Sequence, residues 1–235
     1  MLAIFKRELR SYFVGVIGYV FLVVYLAIAG ILFSYTTMFS MSSDVTNYFT
    51  LMLVFSAIIL PLLTMKSFSE ERKSKTEQLV LTAPISLPAM VFGKFFASYT
   101  VFGAATVLSS LYFLLLVPYT QLKFAVLFGN MIALLLVGMV FISIGLFVSA
   151  LTENQLSAAI GTIAIILGFL GIALINALLP TTYWLRYFFD AISIFTRFQS
   201  FVNGYFDFAT VIYYLSVSAV FLWLTIRVYD RRRYS

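Results

Sequence analysis

"KSFSEERKSKTEQLVLTAPIS" runs from Lys66 to Ser86 and carries the largest cluster of charges in the chain. Lys66, Glu70, Glu71, Arg72, Lys73, Lys75 and Glu77 fall within twelve positions, whereas only 10% of all 235 residues are charged. On both sides the sequence is continuously apolar. Such a cluster between two greasy runs reads as a loop between two membrane spans.

The rest of the composition agrees. The chain is 63% hydrophobic, with a mean hydropathy of +1.04, against roughly half apolar and a quarter charged for soluble domains. Six stretches are long enough to cross about 30 Å of hydrocarbon as helices: 14–35, 48–65, 88–117, 124–151, 156–179 and 208–226. Each must be helical, because lipid offers no partner to an unpaired backbone group. The expected fold is therefore all-α, a single integral membrane domain over 1–235. The apolar run after the first charges is too long for a signal sequence and is expected to be a retained span.

Basic residues orient the spans. With the N-terminus inside, the inner segments hold Lys6, Arg7, Arg10, Lys66, Arg72, Lys73, Lys75, Arg227 and Arg231 to Arg233. The outer segments hold Lys123, Arg186 and Arg197. The positive-inside rule then places both termini in the cytoplasm and makes this an inner-membrane, multi-pass protein. The net charge of +6 is explained by this topology and does not call for nucleic acid. Lys94, about a turn inside the third span, is expected to snorkel to the inner face.

Three segments do not span. In 1–13, Leu2, Phe5, Leu9 and Phe13 share one helical face and Lys6 and Arg10 another, an amphipathic helix suited to lie along the lipid surface. In 66–87, Ser67 and Glu70 have capping-box spacing. Glu71 with Lys75 and Lys73 with Glu77 are spaced as helical ion pairs. Thr82–Pro84 stops the helix, and Ser86 with Pro88 starts the next. The expectation is a short, charged, capped helix held at both ends. The third segment, 181–207, is aromatic, carries Arg186 and Asp190 at i,i+4, and is expected to form one or two outer helices, interfacial or re-entrant.

Catalytic chemistry is hard to assemble from these residues. Histidine and cysteine are absent, which removes the commonest general base and thiolate metal sites. No span carries paired carboxylates, as an ion-driven carrier would need. Gly93–Lys94 lacks the remainder of a phosphate-binding loop. Energy for uphill movement must come from another chain. A charged helix fixed between two spans is a way to receive it.

Four motifs then carry a resemblance. "FKREL" (Phe5–Leu9) precedes "YF" (Tyr12–Phe13), and "LPLLTMKSFSEERKSKTEQLVLTAPIS" fills Leu60–Ser86. "GKF" is Gly93–Phe95 and "SALTENQLSA" is Ser149–Ala158. In order and spacing these resemble the membrane subunit of type-2 ABC exporters, most closely permeases of the gliding-motility and copper-enzyme-maturation type. The resemblance implies an N-terminal elbow helix, a coupling helix between spans two and three, and outer helices between spans five and six. It implies a non-enzymatic transport subunit that pairs with a second copy or a paralogue, surrounded by lipid. Separate ATP-binding subunits would hold ATP and Mg, with no cofactor on this chain. Coupling would fall to Phe5, Lys6 and Arg7, to Ser69, Glu70, Glu71, Arg72, Lys75 and Thr76, and to Glu153, Asn154 and Gln155. Lys75 stands where the family pattern has glycine, and lysine favours a more continuous helix there. Ser34, Thr36 and Asn176 are candidates to line a path. Helix–helix hydrogen bonding is the other reading of these and of Ser56, Asn130, Ser143 and Thr162. Gly168 and Gly171 are expected to be close-packing positions. The alternatives are a membrane enzyme acting on lipid-linked substrates and a channel or ion-coupled carrier. Neither substrate nor homo- versus heterodimer follows from the sequence.

Overall fold

The computed structural model describes residues 1–40, 45–77, 85–119, 123–178, 193–202 and 207–233, and among these there is no strand. Among the described residues nine α-helices follow one another: α1 Leu2–Val14, α2 Val16–Phe33, α3 Thr46–Thr64, α4 Lys66–Lys73, α5 Leu87–Ser110, α6 Phe124–Leu151, α7 Gln155–Leu178, α8 Ile194–Val202 and α9 Phe208–Arg233. A π-helical turn, Ser34–Phe39, extends α2, and a 3₁₀ turn, Leu111–Leu116, extends α5. Six helical stretches among the described residues are long and apolar enough to cross a membrane: Val16–Phe39, Thr46–Lys73, Leu87–Leu116, Phe124–Leu151, Gln155–Ile175 and Phe208–Arg233. They coincide with the six spans read from the sequence.

α6 forms the centre. Its most apolar stretch is 72% buried, against 22% for α7 and 28% for α9. α3, α5, α7, α8 and α9 all pack on it. In lipid, apolar burial gives helices no preference for one another, so close packing must hold them. Two glycines of α6 provide it. A Cβ on Gly138 would collide with the Phe102 ring of α5, and one on Gly145 with the Thr64 side chain of α3. Gly168 and Gly171, expected to be packing positions, instead face open space. Among the described residues, their neighbours leave room for a side chain.

Five of the polar residues inside the spans also differ from the inter-helical reading. Ser34 donates to Gly30 O, Thr36 to Leu32 O, Asn130 to Val126 O, Ser143 to Met139 O and Thr162 to Ala158 O. Each bonds the carbonyl four residues back in its own helix, which is always within reach and needs no neighbour. The side chain of Asn176 and residues 179–192, with Arg186 and Asp190, lie outside the described residues. Of the aromatic segment 181–207, α8 is described. The Ser193 hydroxyl caps it by accepting from Thr196 N at 3.2 Å, and it buries Ile194, Phe195, Phe198 and Phe201.

α1 is a separate helix because Gly15 is extended (φ −80°, ψ 162°). It packs on α5. Its buried face centres on Ile4 and Tyr12, with Phe5, Leu9 and Phe13 partly covered and Leu2 exposed. Gly93 sits at the crossing, where a Cβ would lie 2.9 Å from Ile4 Cγ2.

Candidate functional site

The charged stretch at 66–77 is built differently from the capped loop helix its sequence suggests. Met65 is itself helical (φ −55°, ψ −33°), so α4 continues from α3, and no side chain caps its start. Ser67 and Glu70 form no capping box, because the helix has already begun. What separates α4 from α3 is a side chain from α6. Ser149 Oγ accepts from both Phe68 N and Ser69 N at 3.1 Å and donates to Met65 O at 3.0 Å. A hydroxyl inserted into the backbone ladder is a recognised cause of a helix bend. Pro61, which has no N–H to donate, lies one turn earlier.

α4 ends at Lys73, and Ser74 N returns to Glu70 O at 2.9 Å. Lys75 follows with φ 58°, the left-handed conformation. This reverses the expectation drawn from lysine's helix propensity. Position 75 is where the helix terminates, and a glycine would take that conformation more readily. Thr82–Pro84 lies outside the described residues. Ser86 does precede α5, with Pro88 in its first turn, but makes no side-chain capping bond.

The expected pairs Glu71–Lys75 and Lys73–Glu77 do not form among the described residues, because the helix has ended and the carboxylates are used elsewhere. Glu71 turns inward. Lys94 of α5 is 1% exposed, and its Nζ lies 2.8 Å from Glu71 Oε1 and 3.3 Å from Glu8 Oε1. It also donates to Ser67 O at 2.5 Å and sits 4.9 Å from the centre of the Phe68 ring. Arg7 donates to Glu8 at 2.7 Å and to Glu71 at 3.0 Å. Two cations and two carboxylates thus join α1, α4 and α5 as a neutral cluster. Its charges are paired and hydrogen-bonded, the condition under which buried ions are tolerated. Hydrogen bonding to Glu8 first, then the attraction of Glu8 and Glu71, holds the Arg7 pKa above its ordinary value. Lys94 does not snorkel, because partners inside the protein are nearer than water.

Tyr12 makes a second junction. Its hydroxyl donates to Leu63 O at 3.2 Å and is 2.8 Å from Ser98 Oγ and 3.4 Å from Ser67 Oγ. Burial pushes its pKa up against these hydrogen bonds, so the phenol stays neutral.

On its far side α4 meets the α6–α7 turn. Arg72 pairs with Glu153 at 2.9 Å and donates to Leu151 O at 2.8 Å. Asn154 caps α7, accepting from Leu156 N at 3.0 Å. The end of α9 closes the group, with Arg232 bonded to Glu77 at 3.0 Å and to Ala150 O at 2.7 Å.

The structure therefore brings together Arg7, Glu71, Arg72 and Glu153 among the residues singled out from sequence. Phe5 is half-buried against the core, and Lys6 is exposed. Glu70 pairs with Lys66 at 3.9 Å, and the Thr76 hydroxyl is 2.9 Å from Ser74 Oγ. Gln155 opens α7. Ser69 is fully buried and donates to Met65 O, so it offers no outer surface. Ser34 and Thr36 are at the opposite end, on the π-helical turn. Sequence reasoning missed Glu8, Tyr12 and Ser149. The signal for Glu8 was present: a lysine inside an apolar span demands a partner.

A bundle of six membrane-length helices with a charged helix tied to its neighbours at one end fits a transport subunit. The sequence pattern of the ABC-2 family transporter proteins matches residues 28–227. The chain belongs to that family. It is an ABC-2 permease and a multi-pass membrane protein. A comparison with curated proteins gave no match.

Proposed function

We propose that this ABC-2 permease forms the membrane path of an exporter as a dimer, with a second copy or a close paralogue. ATP-binding subunits that carry ATP and Mg drive it from the cytoplasmic side. The end of the bundle bearing both termini would face the cytoplasm, in keeping with the positive-inside distribution of Lys and Arg. In this reading α1 is the elbow helix and α4 the coupling helix.

The observation that carries the proposal is how α4 is held. It continues α3, shares Lys94 and Arg7 with α5 and α1, receives Ser149 from α6 and binds the α6–α7 turn through Arg72. A displacement of α4 must therefore move α1, α3, α5 and α6. Its outward residues, Glu70 and Lys73, are exposed and suited to a polar partner surface. Closure of the ATP-binding subunits would push α4, tilt α3 against α6 and open the interface between the two permeases.

The test is co-purification with an ATP-binding subunit encoded beside this chain. Glu70→Lys with Lys73→Glu reverses the outer charges and spares the buried cluster. At least about a tenfold loss of capture, as when interfacial charge pairs are broken, together with loss of substrate-dependent ATP turnover, is expected. Unchanged capture and turnover would remove α4 as the coupling element.

A further inference from the structure

Beside the buried cluster a cavity of about 500 Å³ opens between α1 and α4. Three basic residues (Arg7, Lys66, Lys94) and three acidic ones (Glu8, Glu70, Glu71) line it, so its charged lining is neutral overall. Lys94, Glu8 and Glu71 are bound to one another. Arg7 is held to both carboxylates through Nη2 alone, and its Nε and Nη1 take no part in those bonds; with Lys66 and Glu70 it faces the opening, the three side chains being 55%, 35% and 54% exposed. Lys66 and Glu70 are 3.9 Å apart, too far for a good hydrogen bond. Both can turn to a ligand.

A second cavity, of about 210 Å³, adjoins the first. It is apolar throughout and runs between α2 and α3, walled by Val20, Val24, Ile59 and Leu62. Ile17 lines both cavities, and Lys66 of the first directly follows Met65 of the second. A charged chamber at the end of two spans thus leads into an apolar furrow along them.

An apolar furrow on a membrane helix selects nothing by itself, since every lipid-facing surface is apolar. The chamber supplies the selection. Arg7 and Lys66 together suit a phosphate, which guanidinium and ammonium groups bind through charge-assisted hydrogen bonds. Glu70 beside them suits an ammonium. An anionic headgroup would leave Glu70 unpaired and repelled.

We propose that this site binds a zwitterionic aminophospholipid of the phosphatidylethanolamine type. Its phosphate lies between Arg7 and Lys66, its ammonium meets Glu70, and one acyl chain fills the furrow between α2 and α3. The lipid comes from the leaflet at the end bearing both termini, and its binding does not depend on an ATP-binding partner. Since α1 and α4 both wall the chamber, the bound lipid bridges them.

The full-length chain, delipidated in detergent, is mixed with dioleoyl phosphatidylethanolamine, dioleoyl phosphatidylglycerol or dioleoylglycerol, and retained lipid is counted by native mass spectrometry. One phosphatidylethanolamine per chain is expected, retained about tenfold better than the other two, the worth of one charge-assisted bond. Lys66→Glu should remove the preference, and Val20→Trp, which fills the furrow, should lower retention by at least about tenfold. Equal retention of the three lipids overturns the proposal, as does undiminished retention in both variants. Phosphatidylethanolamine with a photoreactive acyl chain gives a second reading on the wild type. Labelling of peptides containing Val20 or Leu62 supports the site, and labelling confined to other helices overturns it.

Discussion

Replacing Lys94 with methionine keeps the unbranched stem up to the ε position and removes the charged amine. In the wild type Nζ contacts Glu71 at 2.8 Å, Glu8 at 3.3 Å and Ser67 O at 2.5 Å, with the lysine 1% exposed. Glu8 and Glu71 are themselves only 14% and 20% exposed, so water replaces the lysine's contacts only in part. Removing one partner of a buried ion pair costs about 3–5 kcal/mol. Arg7 still touches both carboxylates, at 2.7 and 3.0 Å, but its side chain is 55% exposed and solvent screens it. The loss should therefore fall at the lower end, about 3 kcal/mol, or roughly 100-fold in the equilibrium that keeps α1 docked. Hydrogen exchange of α1 amides in detergent or nanodiscs reads this directly. About 100-fold faster exchange over residues 5–13 is expected, with α6 unchanged. Adding Glu8→Gln and Glu71→Gln to Lys94→Met removes the uncompensated charges and should recover most of the protection. Exchange of α1 in Lys94→Met within about twofold of wild type would refute the reasoning, since screening alone would then account for the cluster.

Three further outcomes follow from single residues. Gly145→Ala places a methyl against Thr64 and should destabilise the bundle by about 1–3 kcal/mol, whereas Gly168→Ala meets open space and should be neutral or slightly stabilising; thermal unfolding followed by intrinsic fluorescence separates the two. Lys75→Gly relieves a left-handed lysine, so melting should stay level or rise, with a gain under about 1 kcal/mol after the entropy of glycine is subtracted. Asp207 accepts from Thr210 Oγ1 at 2.8 Å and Ala209 N at 3.0 Å, which holds its pKa below the ordinary 3.8. A carboxylate with a depressed folded pKa stabilises above its unfolded pKa and loses that effect as pH falls through the folded one. Protection of the Val211 amide, corrected for intrinsic rate, should hold from neutral pH down to about 4, near the ordinary carboxylate value, and fall only below it, and Asp207→Asn should abolish the dependence.

The six spans were legible because lipid leaves the backbone one solution and hydropathy marks it directly. α4 was legible as a charged helix, but its joints were not. A capping box is a local pattern, and it was overruled by Ser149, a residue about eighty positions away that enters the α3–α4 backbone. The i,i+4 pairs failed for the same reason, since Glu71 and Glu77 found partners in α5, α1 and α9 that no spacing rule contains. Lys75 was misread because propensity describes a helix interior, and the residue lies just past the end. Gly138 and Gly145 were indistinguishable in sequence from Gly168 and Gly171 until the helix facing each was known.

The coupling role of α4 is tested most directly by cross-linking, for which this chain is well suited because it has no cysteine of its own. Single cysteines at the exposed positions Lys73, Thr76 and Asn154, and at Tyr119 as a control, can be joined to a cysteine-free ATP-binding subunit carrying one introduced thiol on its membrane-facing surface. Cross-links from 73, 76 and 154 whose yield changes on adding ATP and Mg, with none from 119, are the predicted result. Efficient cross-linking from 119, or none from 73 and 76 under any nucleotide, would contradict it.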